Sequence, residues 1–242
     1  MAEQVETLRR TPLSRDRVLR AAVALADEAG IESLSMRKLA QDLGVVPMAL
    51  YKHVANKDEL LDGMIDVVVG EIDPPVSDAD WKRVVRRRIL SAREALLRHP
   101  WAPIAIETRN QATPAILGYL NSMVGILRDR GGFSTDLAHH VMHAMGSRML
   151  GFSQELFDDA RRAGRSGPAD PEPPAGFPAE AAAAFPHLAA IAGAASHDDA
   201  SVVGPGCDDQ FEFEFALDLL LDGIERLRQQ GWTSHVGTQP PA

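Results

Sequence analysis

Apolar residues at the front of the chain recur every three or four positions, the spacing of helices and not of strands. Val18, Ala22, Leu25 and Ala29, with Leu19, Val23 and Ala26 beside them, predict a helix that Ser14 caps and Gly30 stops. Ser35 opens a shorter second helix with Met36, Leu39, Ala40 and Leu43 on one face, closed by Gly44. Pro47 is tolerated in a helix only near its start, since it lacks an amide hydrogen and has a fixed φ, so it predicts a third helix running to Val54. Asn56 followed by Glu59 makes a variant capping box, and Leu60, Leu61, Met64, Ile65, Val68 and Ile72 continue as one stripe.

The stretch DPPVSDAD then breaks the pattern before Trp81. Three long helices follow, Trp81 to Arg98, Pro114 to Arg130 and Ser134 to about Phe157, separated by turns at HPWAP and GGFS. Residues 158–178 are dense in Pro, Gly and charge and read as a loop. AEAAAAFPHLAAIA reads as a short helix and SHDDASVVGPG as another loop. The last element, DDQFEFEFALDLLLDGIERLRQQ, opens with strand-like alternation, but helix formers continue through Leu217, Leu219, Leu220, Leu221 and Ile224 and no other segment offers a partner strand. The reading is all-α, with a flexible arm over 1–13, a three-helix reader over 14–60, a helical body over 61–232 and a frayed tail over 233–242.

Net charge alters this picture more than composition does. The chain carries −9 overall, which argues against nucleic acid, yet residues 1–57 hold 9 Lys and Arg against 7 Asp and Glu, and the remainder holds 16 against 27. A mildly basic head on an acidic body suits a protein that brings only its head to DNA. The single cysteine, Cys207, excludes an intrachain disulfide framework. No apolar run approaches the roughly 20 residues that cross a bilayer, and the start is too polar for a signal peptide. The expectation is a soluble cytoplasmic protein with no membrane partner.

Two short helices joined by a tight glycine-containing turn and braced by a longer helix have the layout of a helix-turn-helix. Leu50 and Val54 can face inward against Leu39 and Leu43, which leaves Pro47, Met48, Tyr51, Lys52 and His53 pointing out. Tyr51, His53 and Lys57 are placed to hold phosphates. Arg37 can bond a guanine edge, while Met48 and Ala49 offer apolar contact to thymine methyls. From these residues alone, Tyr51 as a core aromatic and Arg37 as a solvated cation remain equally open.

The run RVLRAAVALADEAGIESLSMRKLAQDLGVVPMALYKHVANKDELLDGMID resembles the DNA-binding domain of the tetracycline-repressor (TetR) family, with its LSMRKLAQDLGV turn and LYKHVANKDELL junction. WKRVVRRRILSAREALLRHP, the pair Thr108-Arg109, GFS before a long helix and FEFALDLLLDGIERL are similar to the subgroup with the repressor's own C-terminal domain. The resemblance implies an all-helical, Ω-shaped homodimer whose last two long helices form a four-helix bundle with their mates. It also implies a small-molecule effector in the body that alters the spacing of the two readers.

Where the resemblance would place the repressor's metal-binding histidines stand Asp73 and Ala105, which points away from a metal-chelated tetracycline even though Arg109 and Glu155 match pocket positions. An apolar or aromatic effector fits better, with Ile104, Arg109, Leu120, Met123, His139, Met142, His143 and Phe152 as the residues to line its site. Met145 and Met149 add adaptable apolar surface. His139, His140 and His143 share a helix face as zinc ligands would, but no carboxylate or cysteine at ligand spacing completes a set, so neither metal nor other cofactor is expected.

The terminal helix is apolar around most of its girth, more than one subunit could cover. Phe211, Phe215, Leu219 and Ile224 are therefore expected at a dimer interface. Two readers held about 34 Å apart would meet successive major-groove faces of a palindromic operator. The expected function is a repressor released by its ligand, with an activator or a ligand-independent regulator left open. An enzyme is not expected, because no nucleophile and base, phosphate loop or cofactor motif is present. A purely scaffolding dimer is the remaining contrast.

Overall fold

Ser14 begins the first helix by accepting a 3.2 Å hydrogen bond from the Arg17 amide, and α1 runs Arg15–Ala29 until Gly30 turns the chain at φ 78°. This and all that follows come from a computed structural model, which describes residues 12–147, 183–187, 189–190 and 209–234. A 3₁₀ turn, Ile31–Ser33, leads to α2 (Met36–Asp42), whose cap Ser35 accepts from the Lys38 amide at 3.2 Å. Gly44, at φ 66°, makes the turn into α3 (Pro47–Leu50).

The third helix is shorter than its sequence predicts. Beyond Leu50 the chain tightens, with the His53 and Val54 amides both donating to the Leu50 carbonyl at 2.8 and 3.0 Å, so residues 51–53 form a turn and not a continued α-helix. The next cap pulls on the same segment. Asn56 accepts from the Glu59 amide at 2.8 Å, and the Glu59 carboxylate reaches back to the Ala55 amide at 2.7 Å, one residue earlier than an ordinary capping box. From there α4 runs Lys57–Val69.

The chain divides into two compact units, Met1–Ile72 with Ala95–Tyr119, and Asp73–Glu94 with Leu120–Ala242. In the first, Val18, Ala22, Leu39, Leu50, Val54, Leu60, Met64, Ile65 and Val68 form a sealed core. Glycine is required where α1 meets α4. A β-carbon at Gly63 would lie 2.5 and 2.9 Å from the two methyls of buried Leu19, so the helices approach here as closely as they can. This unit also holds α6 (Ala102–Glu107), a helix where the sequence predicts only a turn; Pro103 falls in its first turn, where a missing amide costs nothing.

α5 (Trp81–Arg98) and α7 (Pro114–Gly125) contribute residues to both units. α7 widens into a π-turn over Ile126–Arg130 and stops at Gly132, φ 66°. In the second unit a helix, α8, occupies 135–147 where the described residues stop, and α9 spans Asp209–Gln229. No strand occurs among the described residues, so FEFEF is helical as expected. α9 turns Phe213, Leu217, Leu221 and Ile224 inward, while its flank of Glu214, Asp218, Asp222 and Glu225 meets α5. Arg86 binds Asp218 at 2.7 Å and Glu214 at 2.6 Å, Lys82 pairs with Asp222, and Trp81 Nε1 donates to Glu225 at 3.2 Å. Arg93, also buried, donates to Gln210 and lies 4.8 Å over the Phe213 ring.

Candidate nucleic-acid interface

The candidate site is the outer surface of α2, α3 and the start of α4. Its floor is fixed by burial: Leu39, Leu50 and Val54 are closed to solvent, and Leu43 is half-buried. Because these side chains point inward, the short α3 and the turn after it must present the intervening residues outward. Met48 is 73% exposed and Tyr51 45%, with Pro47, Lys52, Arg37 and Lys57 also exposed and Ala49 and His53 half-buried. All eight residues assigned to DNA from the sequence thus share one unit and reach solvent. Tyr51 is no core aromatic. Val46, exposed beside Met48, belongs to the same surface and was not anticipated; its place just before Pro47 at the helix start was the available signal.

Lys57 is the first residue of α4, but the neighbouring carboxylates have other engagements. Arg109 donates to Asp58 at 3.0 Å and stands 2.8 Å from Asp62, close as an ion pair though off the angle of a hydrogen bond. Hydrogen bonding to Asp58 above all raises the Arg109 pKa further, so this guanidinium is a permanent cation held on α4.

The residues expected to line an effector site are divided between the units. Ile104, half-buried, and Arg109 lie in the first; Leu120 (exposed), Met123 (buried), Met142 (half-buried) and the exposed His139 and His143 lie in the second. Phe152, Glu155, Met149, Cys207 and the 158–178 loop lie outside the described residues. The His139 and His143 rings meet edge-on at 4.6 Å, and His140 lies 5.5 Å from Trp232. Among the described residues no group of three or more His, Cys, Asp or Glu is arranged to hold a metal.

The stripe expected to join two subunits splits in two. Phe211, Phe215 and Leu219 are exposed, with the two phenyl rings stacked at 6.3 Å, whereas Ile224 is 4% exposed and faces the chain's own core with Leu221. No helix among the described residues is long and apolar enough to cross a membrane.

A capped three-helix head with an outward-facing short helix, followed by a helical body, defines a helix-turn-helix transcriptional regulator. Comparison with known proteins gives the family. Residues 18–64 match the family of bacterial regulatory proteins called tetR, and residues 74–228 match the tetracyclin repressor-like C-terminal domain. The chain therefore belongs to the TetR family, whose members are regulators and not enzymes. It is 30% identical over 226 residues to the HTH-type transcriptional repressor DrrR1 of Streptomyces coeruleorubidus, covering 90% of this chain and 79% of that one. An HTH-type transcriptional regulator of Saccharopolyspora erythraea is 42% identical over 106 residues, 43% of this chain, and the match spans only 45% of that relative's length. The crystal structure of apo ActR from Streptomyces coelicolor superposes with a TM-score of 0.68 at 25% identity, covering 92% of this chain and 99% of the other. ActR in complex with actinorhodin matches at 0.63, with 26% identity over 88% of this chain and 97% of that one.

Proposed function

We propose that this TetR-family regulator is a repressor that binds a palindromic operator as a homodimer and is released by a small hydrophobic or aromatic ligand. The observation that carries the DNA half is the exposure of Met48 and Tyr51 above a floor of buried Leu39, Leu50 and Val54. Val46, Met48 and Tyr51, exposed together within one short segment, suit a surface that meets a partner. Arg37 reads a guanine edge, Met48 and Ala49 meet thymine methyls, Pro47 sets the entry of α3, and Tyr51, Lys52, His53 and Lys57 hold phosphates.

Dimerisation falls to Phe211, Phe215 and Leu219, which form an exposed apolar stripe on α9. Repression is supported by DrrR1, a repressor by name, and ligand binding by ActR, which has been crystallised in complex with actinorhodin. In this reading residues 14–60 are the reader and 61–232 the body that binds ligand and partner. The ligand acts by favouring a reader spacing that no longer fits the groove, which requires only differential affinity for two spacings. A gel-shift assay on the chain's own promoter region, with competitor DNA present, tests the proposal. A sequence-selective shift reversed by an aromatic ligand is the expected result, and uniform binding to all DNA would overturn it.

A further inference from the structure

The joint between α5 and α6 holds a histidine that the DNA-facing surface does not use. His99 is only 7% exposed, and its ring lies between two carboxylates. Nδ1 is 2.9 and 3.0 Å from the oxygens of Asp27 near the end of α1, and Nε2 is 3.2 Å from Glu71, just beyond α4. Each carboxylate has a second donor. Trp101 Nε1 donates to Asp27 at 2.7 Å, and Arg98 donates to Glu71 at 2.8 and 3.1 Å. Arg20 of α1, paired with Asp16, lies within electrostatic reach of Glu71 as well. Burial works to raise the Glu71 pKa, but hydrogen bonds from Arg98 and His99 outweigh it and hold this carboxyl below its ordinary range, so an anion faces Nε2.

A neutral imidazole has one N–H and one lone pair and can donate to only one of these carboxylates, whereas a doubly protonated ring donates to both. The ring also follows the last turn of α5, and the C-terminal end of a helix favours a cation. We infer that His99, with both ring nitrogens set against carboxylates, is a positioning residue for DNA reading, a clasp that ties the end of α1 to the exit of α4. This rests on the proposal that α2 and α3 contact DNA. α1 and α4 are the helices that brace α2 and α3, and they touch where Gly63 meets Leu19. Lys57 stands at the opposite end of α4, about 18 Å from the clasp by helical rise. Fixing the exit of α4 on α1 therefore fixes where Lys57 and the adjoining reader lie. A ring with a single N–H leaves one of the two carboxylates facing a lone pair, so the full clasp needs both ring nitrogens as donors.

Thermal unfolding of the full chain without DNA tests the clasp. At about pH 6 His99→Gln should melt well below wild type, and the gap should narrow at about pH 8.5. A gap constant with pH means a merely structural histidine and overturns the inference. Should His99→Gln fail to fold, the ring nitrogen-15 shifts of the wild-type chain at about pH 6 decide: two N–H nitrogens support the clasp, and one lone-pair nitrogen sinks it. Operator affinity by fluorescence anisotropy then tests the positioning role. His99→Gln should weaken binding roughly fivefold at about pH 6 and about twofold or less at pH 8.5. His53→Gln is run beside it as a control, because His53 is a second imidazole and lies on the DNA-facing surface itself. A clasp that titrates while operator affinity ignores His99→Gln at both pH values overturns the positioning role. A wild-type chain that melts as expected yet binds no operator rejects the DNA reading and leaves the clasp in place.

Discussion

Among the described residues, the apolar surface at Val46, Met48 and Tyr51 and the one at Phe211, Phe215 and Leu219 differ in what surrounds them. The unit that exposes Val46, Met48 and Tyr51 also exposes Arg37, Lys52 and Lys57, and two carboxylates on the same helix as Lys57, those of Asp58 and Asp62, are turned toward Arg109. Around Phe211, Phe215 and Leu219 the charged neighbours are acidic, and Glu214, Asp218, Asp222 and Glu225 are drawn sideways onto α5. The first is an apolar surface with a cationic margin, suited to a polyanion. The second is an apolar stripe flanked by Glu214, Asp218 and Asp222, which pair with Arg86 and Lys82 of the same subunit, and this suits an equivalent stripe on another copy. Charge at the margin, more than exposure, separates the two surfaces.

The sharpest way to break this comparison is Phe215→Asp. A charge at the centre of the stripe should give monomers by light scattering, and because two linked readers outbind one by roughly 10²- to 10⁴-fold, operator affinity should fall by that order. A dimer that survives the change would place the interface elsewhere. Ile224 sharpens the same contrast from the other side. Although it shares the helix, its burial predicts that Ile224→Ala costs folding stability, about 2–5 kcal/mol in denaturant unfolding. Leu219→Ala in the Phe215→Asp monomer should cost almost nothing. Equal losses would mean that both residues serve the core.

On the cationic surface the expected effects are smaller and differ in kind. Arg37→Ala should relax sequence preference by about 1–3 kcal/mol, while Lys57→Ala should weaken all sequences alike and reduce the salt slope by about one. If both variants discriminated operators as wild type does, base reading would belong to other residues, Met48 first among them.

Much of this architecture was legible because its signals are local. Ser14, Ser35 and Asn56 each cap the helix the sequence assigned to them, and Trp81–Arg98 has the bounds its apolar spacing gave. What escaped depends on contacts distant in sequence or on competition between neighbouring hydrogen bonds. α3 ends early because the Leu50 carbonyl takes two amides, which no periodicity reveals. Around α9 both Phe211/Phe215/Leu219 and Phe213/Leu217/Leu221/Ile224 keep helical spacing, so apolar residues alone do not say which row faces inward, and Ile224 lies in the buried one. The acidic flank held the missing information, since Glu214, Asp218 and Asp222 mark the side that meets α5. His99 and Asp27 are separated by 72 residues, and HPWAP read as a mere turn. The effector residues stay the least constrained, being divided between two units.

The acidic flank also supplies the smallest effect. Hydrogen bonds from Arg228 first, then from Gln229 and Trp81, lower the Glu225 pKa from 4.5 to about 2 despite some burial. A carboxyl depressed in the folded state adds stability that is complete above its ordinary value and is lost as pH falls through the folded one. The window for Glu225 therefore runs from about 4.5 down to about 2. Its strongest partner, Arg228, is three residues away on the same helix, so much of the interaction concerns α9 alone; only the 3.2 Å bond from Trp81 ties it to α5. Solvent screens the Arg228 pair further. Glu225→Gln should accordingly spare only about 2 °C of the melting-temperature loss between neutral pH and about pH 3. A much larger rescue would mean that Trp81 and Glu225 hold α9 on α5 more firmly than the apolar face does, and would move the weight of that contact from Phe213, Leu217 and Leu221 to its charged edge.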